Sequence, residues 1–405
     1  MENMSDTQLK TSKPIFQKCV NFTRPQEVME MGVYPYFREI SSAPAHSVII
    51  NNKELIMIGS NNYLGLTTHP KVKEAGLDAI RKYGSGCTGS RFLNGTLDIH
   101  VKLEEELADF LNKEAVIVFS TGFQANLGAI SCLVTKQDTI LIDRSDHASI
   151  VDGTRLSFGK TYKFAHNDMD DLSRVLRQIG NNGGRLIIVD GVFSMEGDII
   201  NLPRLVEVAA EHSAAIMVDD AHAVGVLGKM GRGTAEHYDL EDSVDIIMGT
   251  FSKSFASLGG YIASSREVIN YVKHIARELI FSASMPPAAV AAVRAALQII
   301  KEEPERREQL WKNTRKMHEG FKSLGFNIGT TQTPVVPIYI GDDIDCFKFW
   351  KALSDAGIFA NPIIPPAVAP GESLIRTSYT ATHTDAELDR VLDVFEKVGR
   401  KLSII

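Results

Sequence analysis

The sequence predicts an α/β fold in which a doubly wound, mostly parallel sheet is followed by a small C-terminal α+β domain. Short runs of aliphatic and β-branched residues alternate with helical stretches over most of the chain, as in a parallel sheet covered on both faces. Beyond about residue 300 this alternation gives way to a charged helix and then to mixed strands and helices. The length of 405 residues is enough for two or three domains.

Five apolar runs mark the strands of the predicted sheet. Continuous apolar runs of this kind, without polar alternation, are typical of strands that are buried on both faces. Helical stretches separate them, as the crossover connections of a parallel sheet require. The runs cover residues 115–119, 139–142, 186–189, 215–218 and 246–248.

Two of the predicted helices are clear from local patterns. The stretch 98–113 carries apolar residues at positions i, i+4, i+7 and i+8, which is the spacing of one buried stripe. A second helix begins at Pro286 and Pro287, where the missing backbone N–H costs nothing. We place a domain boundary near this second helix.

The C-terminal part combines strands over 335–340 and 374–379 with a helix around 346–356. The last helix begins at a capping box formed by Thr384 and Glu387. The predicted division of the chain is an N-terminal arm over 1–58, a large domain over 59–295 and a small domain over 296–405.

Charge and cysteine content exclude several classes of protein. The formal net charge of −7 argues against a general nucleic-acid binder, which needs a strongly basic surface. No signal peptide and no apolar run of membrane-spanning length is present, so we expect a soluble, cytoplasmic protein. The four cysteines are far apart, which predicts neither a disulfide framework nor a metal site; they are Cys19, Cys87, Cys132 and Cys346.

Ligands of open α/β sheets bind beyond the carboxyl ends of the strands, so the residues after each strand are the first candidates for a site. After the run 115–119 comes a turn over 120–124 that contains Gly122 and leads into a helix at about Ala125. Free N–H groups at such a helix start can bind a phosphate. The alternative is an ordinary strand-to-helix turn.

Two acids and a histidine follow the run 215–218. Asp219 and Asp220 are costly to bury unless each has a partner, and one of them could face a protonated ring nitrogen of a cofactor. His222 would then contact another polar group of the same ring. The alternative is that the acids cap a helix, which suits Asp220 better than both together.

A lysine follows the last run. Lys253 lies among hydroxyls, small residues and glycines, directly after an apolar strand. Desolvation lowers the pKa of a lysine, and the neutral amine can form a Schiff base with a carbonyl. The alternative is a surface lysine in a flexible loop.

Three features follow one another along the chain: a phosphate cradle, a strand-end Asp with a His, and a Lys flanked by hydroxyls. This order resembles that of the fold-type I pyridoxal-phosphate enzymes. Further motifs resemble one branch of them, the α-oxoamine synthase family, over about residues 30–400. That family condenses an amino acid with an acyl thioester. The motifs cover residues 60–66, 84–91, 146–149, 194–198, 219–222, 250–253 and 375–378.

The resemblance implies pyridoxal 5′-phosphate as the cofactor and assigns four residues to its ring. Lys253 would bind it as a Schiff base and later move the Cα proton of the substrate. Asp219 would pair with the pyridinium nitrogen, His222 would contact the 3-oxygen, and His147 would stack on the ring face. No metal is implied.

The phosphate and the amino acid also receive implied partners. Arg376 would bind the amino-acid carboxylate, because a planar guanidinium matches that group bidentately; Asn61 or Asn62 would add a hydrogen bond. The active sites of this family lie at a homodimer interface, so Ser282 or Ser284 would reach the partner's phosphate. The other implied cofactor-binding residues are Gly122, Phe123, Thr250 and Ser252, and Arg91 is a further candidate cation for the anionic ligands.

Weaker motifs favour those members that join L-serine to a long-chain acyl-CoA. They include the segments 34–38, 90–96 and 365–370, although Val368 stands where we expected Thr. A lipid product would bring such an enzyme into peripheral contact with a membrane. The alternatives are 2-amino-3-ketobutyrate CoA ligase, 8-amino-7-oxononanoate synthase and an inactive scaffold subunit, the last disfavoured by the presence of Lys253.

Overall fold

The computed structural model describes residues 13–180 and 183–405, so the first twelve residues of the predicted arm lie outside the described residues. The strands are β1 Ser47–Ile50, β2 Lys53–Met57, β3 Ala115–Phe119, β4 Thr139–Asp143, β5 Lys160–Phe164, β6 Arg185–Asp190, β7 Ala215–Asp219, β8 Ile246–Thr250, β9 Gly260–Ser264, β10 Val335–Gly341, β11 Ile358–Phe359, β12 Asn361–Ile363 and β13 Ser373–Ser378.

The α-helices are α1 Gln17–Val20, α2 Arg24–Glu30, α3 Pro70–Tyr83, α4 Asp98–Phe110, α5 Gly122–Leu133, α6 Ala148–Leu156, α7 Met169–Ile179, α8 Leu202–Glu211, α9 Thr234–His237, α10 Arg266–Ile275, α11 Arg277–Ile280, α12 Pro287–Glu302, α13 Pro304–Leu324, α14 Asp343–Asp355 and α15 Asp385–Lys401. Short 3₁₀ turns cover Pro14–Phe16, Leu66–Thr68 and Glu241–Ser243. Among the described helices, none is both long and apolar enough to cross a membrane.

The central sheet has seven strands in the order β3-β9-β8-β7-β6-β4-β5. All neighbours are parallel except β9, which is antiparallel to β3 and β8. All five predicted apolar runs lie in this sheet. The predicted α/β fold with a doubly wound, mostly parallel sheet is therefore confirmed.

Successive side chains of β3 show how both faces of the sheet are buried. Val116 and Val118 belong to one apolar core, whereas Ile117 and Phe119 belong to another. Because neighbouring residues of a strand point to opposite faces, the two cores lie on the two sides of the sheet. This explains why the predicted strands are continuously apolar.

Two strands of the sheet were not predicted, for opposite reasons. β5 lies at the edge of the sheet and is largely exposed, so its sequence Lys-Thr-Tyr-Lys-Phe carries little apolar signal. β9 is fully buried but begins with Gly260, where a Cβ would lie 2.5 Å from the Cα of Gly122. Close backbone contact requires glycine there, and this interrupts the apolar run.

The C-terminal part has its own antiparallel sheet, in the order β10-β13-β12. A separate apolar core lies between this sheet and helices α13 to α15. The predicted strands over 335–340 and 374–379 correspond to β10 and β13, and Thr384 and Glu387 form the predicted capping box of α15.

A third sheet joins distant parts of the chain, because β2 pairs with β1 and with β11. Ile56 and Ile58, from the predicted arm, belong to the C-terminal core. The division at residues 58 and 295 stays a prediction.

Candidate active site

A cavity of about 270 Å³ lies at the carboxyl ends of the central strands. It is the position expected for a ligand site in an open α/β sheet. Eight predicted site residues line it: Gly122, Phe123, His147, Asp219, His222, Thr250, Ser252 and Lys253.

The N-terminus of α5 forms one wall of this cavity. The helix begins at Gly122, three residues earlier than the sequence indicated, and Thr121 caps it by accepting from the N–H of Gln124 at 3.1 Å. A Cβ at Gly122 would lie 2.7 Å from Oγ1 of Thr250. The first N–H groups of a helix have no partner within the helix. The glycine therefore keeps these donors and a hydroxyl together at one point, as an anion site requires.

Asp219 begins a chain of hydrogen bonds that reaches His147. It is almost fully buried and accepts from Nδ2 of Asn126 at 2.7 Å. Asn126 also donates to Oγ of Ser149 at 2.8 Å, and this oxygen lies 2.7 Å from Nδ1 of His147. The N–H of Ser149 also donates to that nitrogen, at 3.2 Å. Nδ1 of His147 is therefore the acceptor, which leaves the ring proton of the neutral imidazole on Nε2.

Asp220 does not line the cavity and is instead hydrogen-bonded to the backbone at a helix start. Its Oδ2 accepts from the N–H of Thr234 at 3.0 Å, at the start of α9. Complete burial raises the pKa of Asp220 to about 7. The capping interpretation is therefore right for Asp220, while Asp219 faces the cavity.

His222 is hydrogen-bonded to Tyr63, which lies in one of the predicted motifs but was not predicted to have a role of its own. Its Nδ1 lies 2.7 Å from the hydroxyl of Tyr63, and both side chains are buried. Burial lowers the pKa of His222 well below its usual value, and the nearby charge of Lys253 acts in the same direction. Burial also raises the pKa of Tyr63 to about 12. Both groups are therefore uncharged near neutral pH.

Lys253 follows β8 and is half-buried among small residues. Burial lowers its pKa to about 8; the charges of Asp219 and Asp190 oppose this effect, and that of Arg376 adds to it. A substantial fraction of the amine is therefore neutral near pH 7 to 8. This is the state that a nucleophilic lysine needs.

Asp190 also lines the cavity, and sequence reasoning missed it. It ends β6, and its Oδ2 accepts from the N–H of His147 at 3.1 Å. Burial, with the nearby Asp219 carboxylate, raises the pKa of Asp190 well above its usual value. The strand-end rule that selected Asp219 would have selected Asp190 as well.

Arg376 lies on β13 and is 5% exposed. Its Nε donates to the carbonyl of Ser194 at 2.6 Å. Ser194 lines the cavity, so Arg376 lies beside it without being a lining residue. Its charge contributes to the low pKa of both Lys253 and His222.

The two candidate asparagines differ in what their amides contact. Asn62 is buried; its Nδ2 donates to Oγ1 of Thr67 at 2.8 Å, and its Oδ1 accepts from the N–H of Leu66 at 3.0 Å. Asn61 is half-buried, and its Oδ1 is 3.5 Å from the hydroxyl of Tyr63. Asn61 is thus the better placed of the two for a ligand.

Six candidates do not line the cavity in this chain: Asn61, Asn62, Arg91, Ser282, Ser284 and Arg376. Oγ of Ser282 accepts from Nε2 of Gln124 at 3.0 Å, and Oγ of Ser284 donates to the carbonyl of Gly89 at 3.0 Å. Their contribution to a partner subunit stays a prediction. Arg91 is buried in a two-bond ion pair with Glu104, so the expectation that it binds an anionic ligand was wrong.

A wider cleft of about 1440 Å³ adjoins the cavity and shares His147 and Ser194 with it. Arg144 and Arg155 line one part of it, and the loop that includes Val368 lines another. A ligand larger than the cavity can therefore extend into this cleft.

Comparisons with known proteins show what this chain is similar to. The family described as aminotransferase class I and II matches residues 53–395. The serine palmitoyltransferase of Sphingobacterium spiritivorum is 51% identical over 388 residues, covering 96% of this chain and 97% of that protein. An 8-amino-7-oxononanoate synthase of Thermoanaerobacter pseudethanolicus is 44% identical, covering 94% and 96%.

Solved structures are similar over the same length. The serine palmitoyltransferase of S. paucimobilis, solved with a bound PLP–myriocin aldimine, superposes with a TM-score of 0.93 at 37% identity. The match covers 96% of this chain and 99% of that one.

Proposed function

The chain belongs to the aminotransferase class I and II family and, within it, to the α-oxoamine synthases, and we propose that it catalyses the serine palmitoyltransferase reaction. In that reaction L-serine and palmitoyl-CoA give 3-oxosphinganine, CoA and CO₂, the first step of sphingolipid synthesis. The observation that carries the proposal is that about half of the residues are identical to those of serine palmitoyltransferases over nearly the full length. Eight of the predicted site residues, Lys253 among them, also line one cavity.

The cavity residues fit pyridoxal phosphate. The helix-start amides of Gly122 and Phe123 and the hydroxyls of Thr250 and Ser252 suit its phosphate, and buried Asp219 suits its ring nitrogen. When bound, the cofactor supplies an electron-accepting ring that stabilises a carbanion at the substrate Cα.

The chain's own residues account for proton movement and orientation. Nζ of Lys253 takes the Cα proton and returns it, because its pKa of about 8 lets the amine act in both states. Nε2 of His147, a residue that lines the cavity, carries the ring proton, and the contacts with Asp190 and Ser149 hold this residue in place. Arg376 and Asn61 hold the amino-acid carboxylate, which sets the bond to be broken in a fixed direction.

The adjoining cleft suits the acyl-CoA. Its volume exceeds that of the cavity about fivefold. Arg144 provides local positive charge for a CoA phosphate in a protein of net charge −7, whereas Arg155 lines the same cleft but pairs with Asp152 at 2.8 Å. We also propose a homodimer in which Ser282 or Ser284 reaches the partner's phosphate, and peripheral contact with the membrane that receives the product.

The decisive experiment compares amino acids on the cofactor-loaded protein. L-serine, glycine and L-alanine are titrated while cofactor absorbance is recorded, and CoA release is then measured with palmitoyl-CoA and with acetyl-CoA. The proposal predicts tight response to L-serine and fastest release from palmitoyl-CoA.

Tight response to glycine with preference for acetyl-CoA would point to the 2-amino-3-ketobutyrate CoA ligase reaction. Response to L-alanine alone would point to the other alternative, the 8-amino-7-oxononanoate synthase reaction. Lys253→Ala should abolish CoA release, whereas the exposed Lys136→Ala should not. Unchanged release in Lys253→Ala would exclude the proposed chemistry altogether.

A further inference from the structure

His166 lies outside the cofactor cavity and contacts two carboxylates at once. Its Nδ1 is 3.0 Å from Oδ1 of Asp143, and its Nε2 is 3.2 Å from Oδ2 of Asp198. Its ring stands edge-on to Phe193, with the centroids 4.4 Å apart. Both nitrogens can donate only in the imidazolium form. Burial lowers the pKa of His166, but the bonds to both carboxylates outweigh it and raise the pKa to about 10.

The two carboxylates belong to different parts of the fold. Asp143 ends β4, is fully buried, and also accepts from the N–H of Asn167 at 2.7 Å. Asp198 ends the loop 193–198, which the bridge between Val192 and Ile199 closes. His166 therefore ties this loop to the carboxyl end of β4 in the central sheet.

The loop in turn holds Arg376. The carbonyl of Ser194 accepts from Nε of this arginine at 2.6 Å. On the other side of the loop, the carbonyl of Gly197 accepts from Oγ1 of Thr333 at 2.9 Å. The loop thus lies between the central sheet and the C-terminal part, and a shift of the loop would move the acceptor that orients the guanidinium.

We propose that His166 is a positioning residue for the amino-acid substrate: by holding Asp143 and Asp198 together it fixes the loop 193–198, whose Ser194 carbonyl orients Arg376. The inference rests on the proposed function, in which Arg376 binds the amino-acid carboxylate. His166 does not line the cofactor cavity, but it lines the wider cleft. Loss of the bridge should therefore weaken amino-acid binding more than the binding of the acyl-CoA.

The test uses His166→Gln in the cofactor-loaded protein. The dissociation constant of L-serine, followed by cofactor absorbance, and its KM should both rise about 5- to 30-fold. The KM for palmitoyl-CoA should rise less than the KM for L-serine, and kcat should stay within about twofold. Asp198→Asn should reproduce the effect, and the double variant should add little, because both residues act through one bridge.

His46→Gln is the matched control. His46 also pairs with a carboxylate, Glu387 at 2.8 Å, but no contact links it to the loop 193–198 within the part of the chain that the structure describes. This variant should leave the affinity for L-serine unchanged.

Equal affinity for L-serine in the parent and in His166→Gln would overturn the inference, and so would an equal loss for both substrates. If the parent itself does not respond to L-serine, the proposed function fails instead, and the same comparison is made with the amino acid that it does bind. If His166→Gln does not fold, Asp198→Asn is used in its place and hydrogen exchange is measured at the N–H of Gly197. This N–H donates to the carbonyl of Phe193 within the loop at 2.9 Å, and it should exchange faster in Asp198→Asn than in the parent.

Discussion

The adjacent residues Asn61 and Asn62 have different environments, and this difference separates a binding effect from a stability effect. Asn62→Ala removes a buried amide that serves Thr67 and Leu66, so the free energy of unfolding should fall by about 1–3 kcal/mol. Asn61→Ala should instead raise the KM for L-serine severalfold.

Urea denaturation and steady-state kinetics on the two variants measure both quantities, each variant serving as the control for the other. A raised KM in Asn62→Ala at unchanged stability would reverse the assignment.

The pair Asp219 and Asp220 shows that sequence position alone does not fix the role of an acid. Asp220 is buried with one backbone donor, and its folded-state pKa of about 7 lies above the ordinary value of 3.8. The folded state therefore holds this proton more tightly than the unfolded state. Its contribution to stability is full below about pH 4 and is lost as the pH rises towards 7.

Asp220→Asn removes this titration. When the pH is raised from 5 to 7.5, the free energy of unfolding of the variant should rise by about 1–3 kcal/mol relative to that of the parent. Urea denaturation at both pH values measures the gain, and the exposed Asp242→Asn serves as the control. Parallel curves for Asp220→Asn and the parent would show that the carboxyl ionises alike in both states.

The sequence located the residues that we propose to carry the chemistry but not those that hold them in place. Lys253, Asp219 and His222 follow apolar strands, so a local rule finds them. Asn126 reaches Asp219 from 93 residues away, and Tyr63 reaches His222 from 159 residues away. Contacts over such separations arise from the tertiary fold, and no local pattern reports them.

Among the elements, the start of α5 is the one that we propose to bind the phosphate of the cofactor. Gly122→Ala would place a Cβ 2.7 Å from Oγ1 of Thr250 and narrow the anion cradle. We expect the affinity for pyridoxal phosphate to fall at least about tenfold, because the phosphate loses its close approach to the amides.

Equilibrium titration of the cofactor into the cofactor-free protein measures this loss. The matched control is Gly76→Ala in α3, where the new methyl group meets only the carbonyl of Ala288 at 3.6 Å. Unchanged affinity in Gly122→Ala would place the phosphate elsewhere.

The strands show where element prediction succeeds and where it stops. β3, β4 and β6 to β8 are buried on both faces, so their apolar runs were sufficient. β5 is exposed and β9 contains a required glycine, so burial and backbone packing, rather than sequence composition, decide their structure.

At the scale of the whole molecule, an acidic chain has to bind two anionic ligands. With a net charge of −7, it cannot rely on a broad positive field. The binding groups are local: helix-start amides, a few hydroxyls and single arginines. Binding of the cofactor should therefore depend less on salt concentration than binding to a basic surface would.

The proposed homodimer is tested by mass in solution. Sedimentation equilibrium of the cofactor-loaded protein should give twice the mass of one chain. If a second chain supplies Ser282, then Ser282→Ala should weaken cofactor binding by the dimer. The difference in affinity between this variant and the parent should disappear when both are diluted to monomers. A single-chain mass in a fully active sample would contradict the shared site.

The small sheet β1-β2-β11 has a consequence for how the chain is made. β1 and β2 are adjacent in sequence, but β11 follows about 300 residues later, and its Ile358 pairs with Ile56 of β2. During synthesis from the N-terminus, β2 emerges long before its partner exists. The first hairpin must therefore wait at the ribosome while the central sheet folds, and it can join its final neighbour only when nine-tenths of the polypeptide has been translated.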